Sequence, residues 1–277
     1  MAKSRSYSRA GVYVDSENLR LNGGYGMRYD VLREFACRGE AEAVRLNVYI
    51  PYDESRAAKD QTYKGKINEF FLVLRDFGYK VNRKTVKWFT DESGNRFGKA
   101  NADLDMAVDI LLQSENLDRV VLATGDGDFV KVVRAVQNKG CRVEIVAFQN
   151  VSHELRDEAD MFMSGYLIPN LMEMRQPKGR SWGDEGSLVV GRCYHYDSPK
   201  ERGYMRFISE IKGGLWITDA RNPESPYNTA FFEKSDLPVG VKHTDLPNRN
   251  LFFQFRLVRE GAEDNLRAKD LELLAQL

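Results

Sequence analysis

The chain reads as a doubly wound, mostly parallel α/β domain followed by a small all-β barrel. Three observations carry that expectation. β-Branched runs alternate with helical patterns up to about residue 174, a polar Gly/Pro-rich stretch occupies 175–186, and short strand-like runs follow it. Strands alternating with helices point to a parallel sheet covered on both faces. Closely spaced strands divided by turn residues point to an antiparallel barrel. The expected boundaries are therefore 1–174, a linker at 175–186, and 187–277.

In order along the chain, "GVYVD" (11–15), "VRLNVYI" (44–50), "KTVKWF" (84–89), "RVVLAT" (119–124) and "CRVEIVAF" (141–148) are the strand candidates, each rich in Val, Ile, Tyr or Phe. Between them, "INEFFLVLRDFG" (67–78) and "FVKVVRAVQNKG" (129–140) carry apolar residues at helical spacing and stop at glycine. "ADLDMAVDILLQS" (102–114) has the same period. The stretch "DESGNRFGKAN" (91–101) reads as a mobile loop. Beyond the linker, "SLVVGRCYHY", "GYMRFISEI", "GLWITDA", "NTAFFEKS" and "LFFQFRLVRE" are the barrel strands.

Composition excludes several classes. With 42% apolar and 30% charged residues over 277 positions, the chain is long enough for two cores and is not a disordered tail. No apolar run reaches the length of a membrane span, and "MAKSRSYSRA" is not followed by a signal-like segment, so a cytoplasmic location is expected. Cys37, Cys141 and Cys193 are far apart and the three histidines are scattered, which disfavours zinc. Forty-one basic residues balance forty-one acidic ones. Any grip on a polyanion must come from local patches.

The informative cluster is acidic. In an open parallel sheet, ligands bind beyond the carboxyl ends of the strands where the strand order reverses. Asp15 ends the first strand, and Asp126 and Asp128 in "ATGDGDF" follow another, so all three lie on one rim. Taken singly, each is equally an N-cap or turn residue. The helix 102–114 adds Asp103, Asp105 and Asp109, the last two on one face. Hard oxygen donors without His or Cys select Mg2+ or Mn2+, and such an ion suits phosphodiester chemistry. Gly125 and Gly127 would give the backbone a sharp turn and let a phosphate approach. Lys99 and Lys131 could neutralise that phosphate, and Asn18 could hold a water or metal ligand.

Taken together, "YVDSENL" (Asp15, Asn18), "KANADLDMAVDIL" (Lys99, Asp103, Asp109) and "ATGDGDF" resemble the NYN domain family of PIN-like ribonucleases, over about residues 10–170. The Lys99–Asp103 interval is one residue longer than the family pattern. The resemblance implies a metal-dependent endoribonuclease with Asp15, Asp103, Asp126 and Asp128 as its acidic centre and Asp109 as a further metal ligand. Asp105 has no counterpart in the pattern and reads as a surface or supporting group.

The C-terminal runs "GRCYHYDSPKERGYMRFI" and "NTAFFEKSDL" resemble a cold-shock (OB-like) domain, with an extra residue in "GYMRFI". Aromatic side chains on one face of such a barrel stack on unpaired bases. His195, Tyr196, Tyr204, Phe207 and Phe231 are the stacking candidates, with Arg192, Arg202 and Arg206 for phosphates. Inward alternation makes core an equal reading for Phe207 and Phe231. The expectation is a two-domain ribonuclease acting on single-stranded RNA. Its rivals are a phosphohydrolase on a small phosphate ester and an RNA-binding adaptor that does not cleave. A homo-oligomer is compatible with the sequence.

Overall fold

A computed structural model describes residues 7–91, 93–260 and 265–277, with the backbone but not the side chains of Arg96, Phe97 and Lys99. The chain divides into two compact units: Met1–Tyr25 with Glu40–Met163, and Gly26–Gly39 with Ser164–Leu277.

Up to residue 79, the elements are β1 (Ser8–Asp15), α1 (Ser16–Leu21), α2 (Tyr29–Cys37), β2 (Ala41–Tyr52), α3 (Glu54–Lys59) and α4 (Gln61–Asp76). There follow β3 (Lys80–Thr85), β4 (Lys87–Thr90), β5 (Arg96–Lys99), α5 (Ala102–Gln113) and β6 (Arg119–Ala123). α6 (Val130–Gln137), β7 (Arg142–Ala147), α7 (His153–Glu158) and β8 (Met161–Ser164) complete this part.

The first unit is built on a six-stranded sheet in the order β3-β2-β1-β6-β7-β8. The pairs β1–β2, β2–β3, β1–β6 and β6–β7 are parallel. β1 is central, and residues 10–15 are buried throughout, as a strand covered on both faces requires. α6 buries Val130, Val133 and Val136 on one stripe, and these pack with Tyr13, Met106, Ile110, Leu122 and Ile145 in one core. α4 stops where Gly78 takes a positive φ of 88° and the Tyr79 amide reaches back to the Leu74 carbonyl.

The strand expected at 84–89 is divided at Val86. Its first part extends β3, and its second, β4, pairs antiparallel with β5 in a separate two-stranded ribbon. The segment expected as a loop (91–101) therefore holds the turn and second strand of a hairpin. The Asp91 carboxylate accepts from the amides of Ser93 and Asn95 at its turn.

The second unit is a closed five-stranded barrel of β9 (Leu188–Asp197), β10 (Arg202–Ile208), β11 (Tyr227–Glu233), β12 (Leu251–Glu260) and β13 (Asn265–Gln276). The circular order β9-β10-β11-β13-β12 has β11 and β13 parallel and its other recorded pairings antiparallel, the connectivity of an OB-like barrel. Met205, Phe207, Phe232, Phe253 and Phe255 fill its interior.

Two segments outside 187–277 belong to this unit. α2, with Val31, Leu32, Phe35 and Ala36 buried, falls in it, and the Arg28 amide donates to the Leu171 carbonyl. The stretch 175–186 is strapped down: the Gln176 amide bonds both backbone groups of Leu188, and the Trp182 indole donates to the Ile208 carbonyl. Among the described residues, no helix is long and apolar enough to cross a membrane.

Candidate functional site

β1 and β6 are adjacent at the point where the strand order turns back, and Val14 lies opposite Ala123. Asp15 and the turn after β6 therefore meet on one rim. Each aspartate there also serves the backbone. Asp15 caps α1, its Oδ1 accepting from the Asn18 amide at 3.0 Å. Asp126 caps the 3-10 turn Gly127–Phe129, its Oδ1 accepting from the Asp128 amide at 2.9 Å. The residue that joins them is one that sequence reasoning passed over. Thr124 is fully buried, and its hydroxyl donates to Asp15 Oδ2 at 3.2 Å while accepting from the Asp126 amide at 3.2 Å. A small hydroxyl residue between an apolar strand and two acids was the signal available.

Neither Gly125 nor Gly127 takes a positive φ, so turn geometry is not what requires glycine here. Close approach is the reason. A Cβ on Gly127 would stand 2.8 Å from Ser152 Oγ, and one on Gly125 would stand 3.3 Å from both the Asn150 carbonyl and Val151 Cα. The Asn18 side chain, expected to hold a water or metal ligand, accepts the Gly125 amide at 2.9 Å. It positions the loop.

Asp15 is 8% exposed. Burial pushes its carboxyl up from 3.8 to about 6; nearby Asp103 and Asp126 push the same way, against the hydrogen bonds from the Asn18 amide and Thr124. Asp103, in the first turn of α5, thus stands close enough to act on Asp15 electrostatically.

The model of the NYN domain matches residues 9–170. The chain belongs to the NYN domain family. It is 32% identical over 173 residues to the low amplitude and bright protein LabA of Synechococcus elongatus, spanning 60% of this chain and 88% of that protein. Among solved structures it is similar to VPA0982, a protein of unknown function from Vibrio parahaemolyticus. That likeness has 24% identity and a TM-score of 0.48, over 58% of this chain and 95% of the other. Escherichia coli phosphofructokinase-2 is a more distant likeness, with 14% identity and a TM-score of 0.28 over 53% of this chain and 52% of that one. Membership in the family supports an RNA-related function.

Within the NYN domain, not every expected residue joins the rim. Asp109 accepts the Tyr49 hydroxyl at 2.6 Å, in an open pocket of about 640 Å³ shared with Val81, Asn82 and Arg83. Burial, and then this bond to Asp109, hold the Tyr49 hydroxyl well above its usual range. Asp105 pairs with Lys84 at 2.7 Å, as a surface group would. Lys131 is exposed on the first turn of α6, and Asp128 is exposed beside the capped turn. Lys99 ends β5, and its side chain lies outside the described residues.

Among the described residues, no three His, Cys, Asp or Glu side chains stand close enough to hold a metal ion by themselves. Mg2+ is commonly held by one or two carboxylates with water and phosphate oxygens completing its shell. The buried carboxyl of Asp15 and that of Asp126, linked to it through Thr124, fit that all-oxygen donor chemistry.

On the barrel attached to the NYN domain, two expected stacking rings are in the core: Tyr196 and Phe207 are buried among Met205 and Phe232. A bulge explains Tyr196. Tyr204 faces His195 while Met205 faces Cys193, so Tyr194 and His195 both turn outward and Tyr196 turns in. Phe207 follows the plain alternation of β10.

The outer face keeps His195, Tyr204 and Phe231, and adds Tyr194, which is 41% exposed. His195 stacks on Tyr204 at 5.8 Å, and Tyr204 lies opposite Phe231. The Arg202 guanidinium stands 4.8 Å over Phe231, and that of Arg206 stands 5.3 Å over Tyr194. Arg192 lies opposite Arg206. No period-2 pattern reveals Tyr194, because a bulge adds a residue to the count.

Proposed function

We propose that this protein is a metal-dependent endoribonuclease cleaving single-stranded RNA, with the acidic rim as its active site and the outer face of the barrel as an RNA-holding surface. The observation that carries the reading is the meeting of Asp15 with the Asp126 turn, joined through Thr124, at the switch point of an NYN domain sheet. Asp15 and Asp126 would hold Mg2+ or Mn2+ with water and phosphate oxygens completing the shell, and Asp103 and Asp128 would add negative charge at its edge. The bound ion would supply an activated water and offset charge on the phosphodiester.

The chain's own part is positional. Thr124 locks Asp15 to the Asp126 turn, Asn18 fixes that turn to α1, and burial raises the Asp15 carboxyl to about 6. On the barrel, Tyr194, Tyr204 and Phe231 offer faces to unpaired bases, and Arg202 and Arg206 lie beside them for phosphates.

A second reading has one observation behind it: both Asp15 and Asp126 spend an oxygen on capping, which suits a non-cleaving RNA adaptor. The test is cleavage of end-labelled single-stranded RNA with Mg2+, Mn2+ or EDTA, comparing wild type with Asp126→Asn. Metal-dependent cleavage by the wild type and a loss of about 100-fold or more in the variant is the expected result. RNA binding without cleavage would select the adaptor, and equal cleavage by both proteins would remove the acidic rim from the chemistry.

A further inference from the structure

The ribbon β4–β5 stands apart from both larger sheets, and all four residues of β4 are exposed. A two-stranded ribbon is marginal by itself, yet this one presents two large aromatic residues, Trp88 at 42% and Phe89 at 47% exposure. Trp88 is held for presentation. Its position faces Gly98, where a Cβ would meet the indole at 3.4 Å and Val86 at 2.7 Å, so the ring lies across the ribbon where only glycine leaves room. The Asp53 carboxylate accepts a hydrogen bond from the Trp88 side chain, fixing the ring without covering its exposed surface.

The surrounding charge is as pointed. In a chain with no net charge, residues 80–99 hold six basic residues against two acidic ones. Lys80 and Lys87 are exposed, and the register sets lysine position 87 opposite lysine position 99. The ribbon also has an address: β5 runs into α5 within three residues, and Asp103 is in the first turn of α5.

We infer that the β4–β5 ribbon is a single-strand guide. Phe89 stacks on an unpaired base and Lys87, on the same face of the ribbon, contacts a backbone phosphate, while Trp88 takes a base on the opposite face, so that a strand crossing the ribbon is laid towards the acidic rim. This rests on the reading of the rim as an RNA site and adds a binding element that neither the rim nor the barrel contains. The occupant is a single-stranded polyanion because the ribbon couples basic residues with partly exposed aromatic rings, and only unpaired bases offer rings of their own.

The experiment measures binding of fluorescein-labelled oligo(U) and of a duplex RNA to the full chain by anisotropy, in EDTA so that nothing is cleaved. Trp88→Leu and Phe89→Leu each weaken oligo(U) binding about tenfold, leave duplex binding within about twofold, and leave the melting temperature unchanged. Trp88→Tyr keeps most of the affinity. Lys87→Gln lowers the slope of log K against log salt by about 0.7.

Wild-type affinity in all ribbon variants, with loss confined to Tyr204→Leu and Phe231→Leu in the barrel, would overturn the guide and leave the RNA reading intact. A wild-type chain that binds no RNA would overturn both. Ribbon-dependent binding to phosphatidylserine vesicles in place of RNA would assign the patch to a membrane surface and overturn the guide.

Discussion

Asp15 combines two demands on one carboxyl: it caps α1 and it is buried beside other acids. The second demand costs stability. Because its folded pKa of about 6 lies above the ordinary 3.8, the folded chain binds this proton more tightly than the unfolded chain does. The resulting stabilisation is complete below about pH 4 and is lost as pH rises through 6. At pH 8 the ionised group costs about 3 kcal/mol. An asparagine keeps the cap, and its amide can donate to Thr124 Oγ1. Asp15→Asn is therefore expected to raise unfolding stability in urea by about 1–3 kcal/mol at pH 8, with the gap closing at pH 4, while cleavage is lost. An unchanged or lower stability at pH 8 would show that the carboxyl is not strained by its site.

At the scale of elements, the barrel strands depend on a close approach between β10 and β11. A Cβ on Gly203 would stand 2.1 Å from the Phe232 ring, which the core holds fully buried. Gly203→Ala forces that ring or the strand to move, and about 1–3 kcal/mol of barrel stability should be lost. A second substitution, Phe232→Leu, makes room and should recover part of the loss; full additivity in a double-mutant cycle would refute the packing argument. The bulge in β9 has the opposite character, since it spends pairing regularity to turn both Tyr194 and His195 outward. Ribbon β4–β5 likewise has little core of its own.

At the scale of the molecule, the two units are interleaved in sequence. The segment Gly26–Gly39, between α1 and β2, belongs with Ser164–Leu277. In that unit Gly39 approaches Gly213 closely enough that a Cβ on Gly39 would lie 3.7 Å from the Gly213 Cα. Cutting the chain at residue 174 therefore separates Gly26–Gly39 from most of the unit to which it belongs, and with it α2, whose Val31, Leu32 and Phe35 are buried in the intact chain. The fragment 1–174 should bind the dye ANS strongly, and replacing those three residues by polar ones should abolish the effect. A fragment that stays monomeric and ANS-silent without those replacements would mean that α2 finds its cover within residues 1–174. For the same reason, loss of cleavage on deleting the barrel would not by itself assign RNA binding to it.

Much of this protein is determined locally. Apolar runs of four to six residues, glycine stops and acids at strand ends were enough to place β1, β2, β6, β7, α4, α5 and α6 and to put Asp15, Asp126 and Asp128 on one rim, because periodicity and capping are near-neighbour physics. Spaced short strands were enough to expect a small antiparallel barrel, whose OB-like character was expected from the resemblance to a cold-shock domain; the run 214–220, expected as a strand, is turn and loop, and β13 (Asn265–Gln276) supplies the fifth strand. Tertiary contacts settled the rest. That Thr124 joins the two acidic turns follows from β1 and β6 being neighbours. That Asp109 serves Tyr49 follows from α5 packing over β2. Tyr196 faces inward and Tyr194 outward because one inserted residue reverses the alternation of β9. The 175–186 stretch, polar enough to read as a linker, is bound to the barrel through Gln176 and Trp182. α2 reads as an ordinary amphipathic helix, and its apolar face cannot say which core it enters, since burial is non-directional and the partner is remote in sequence.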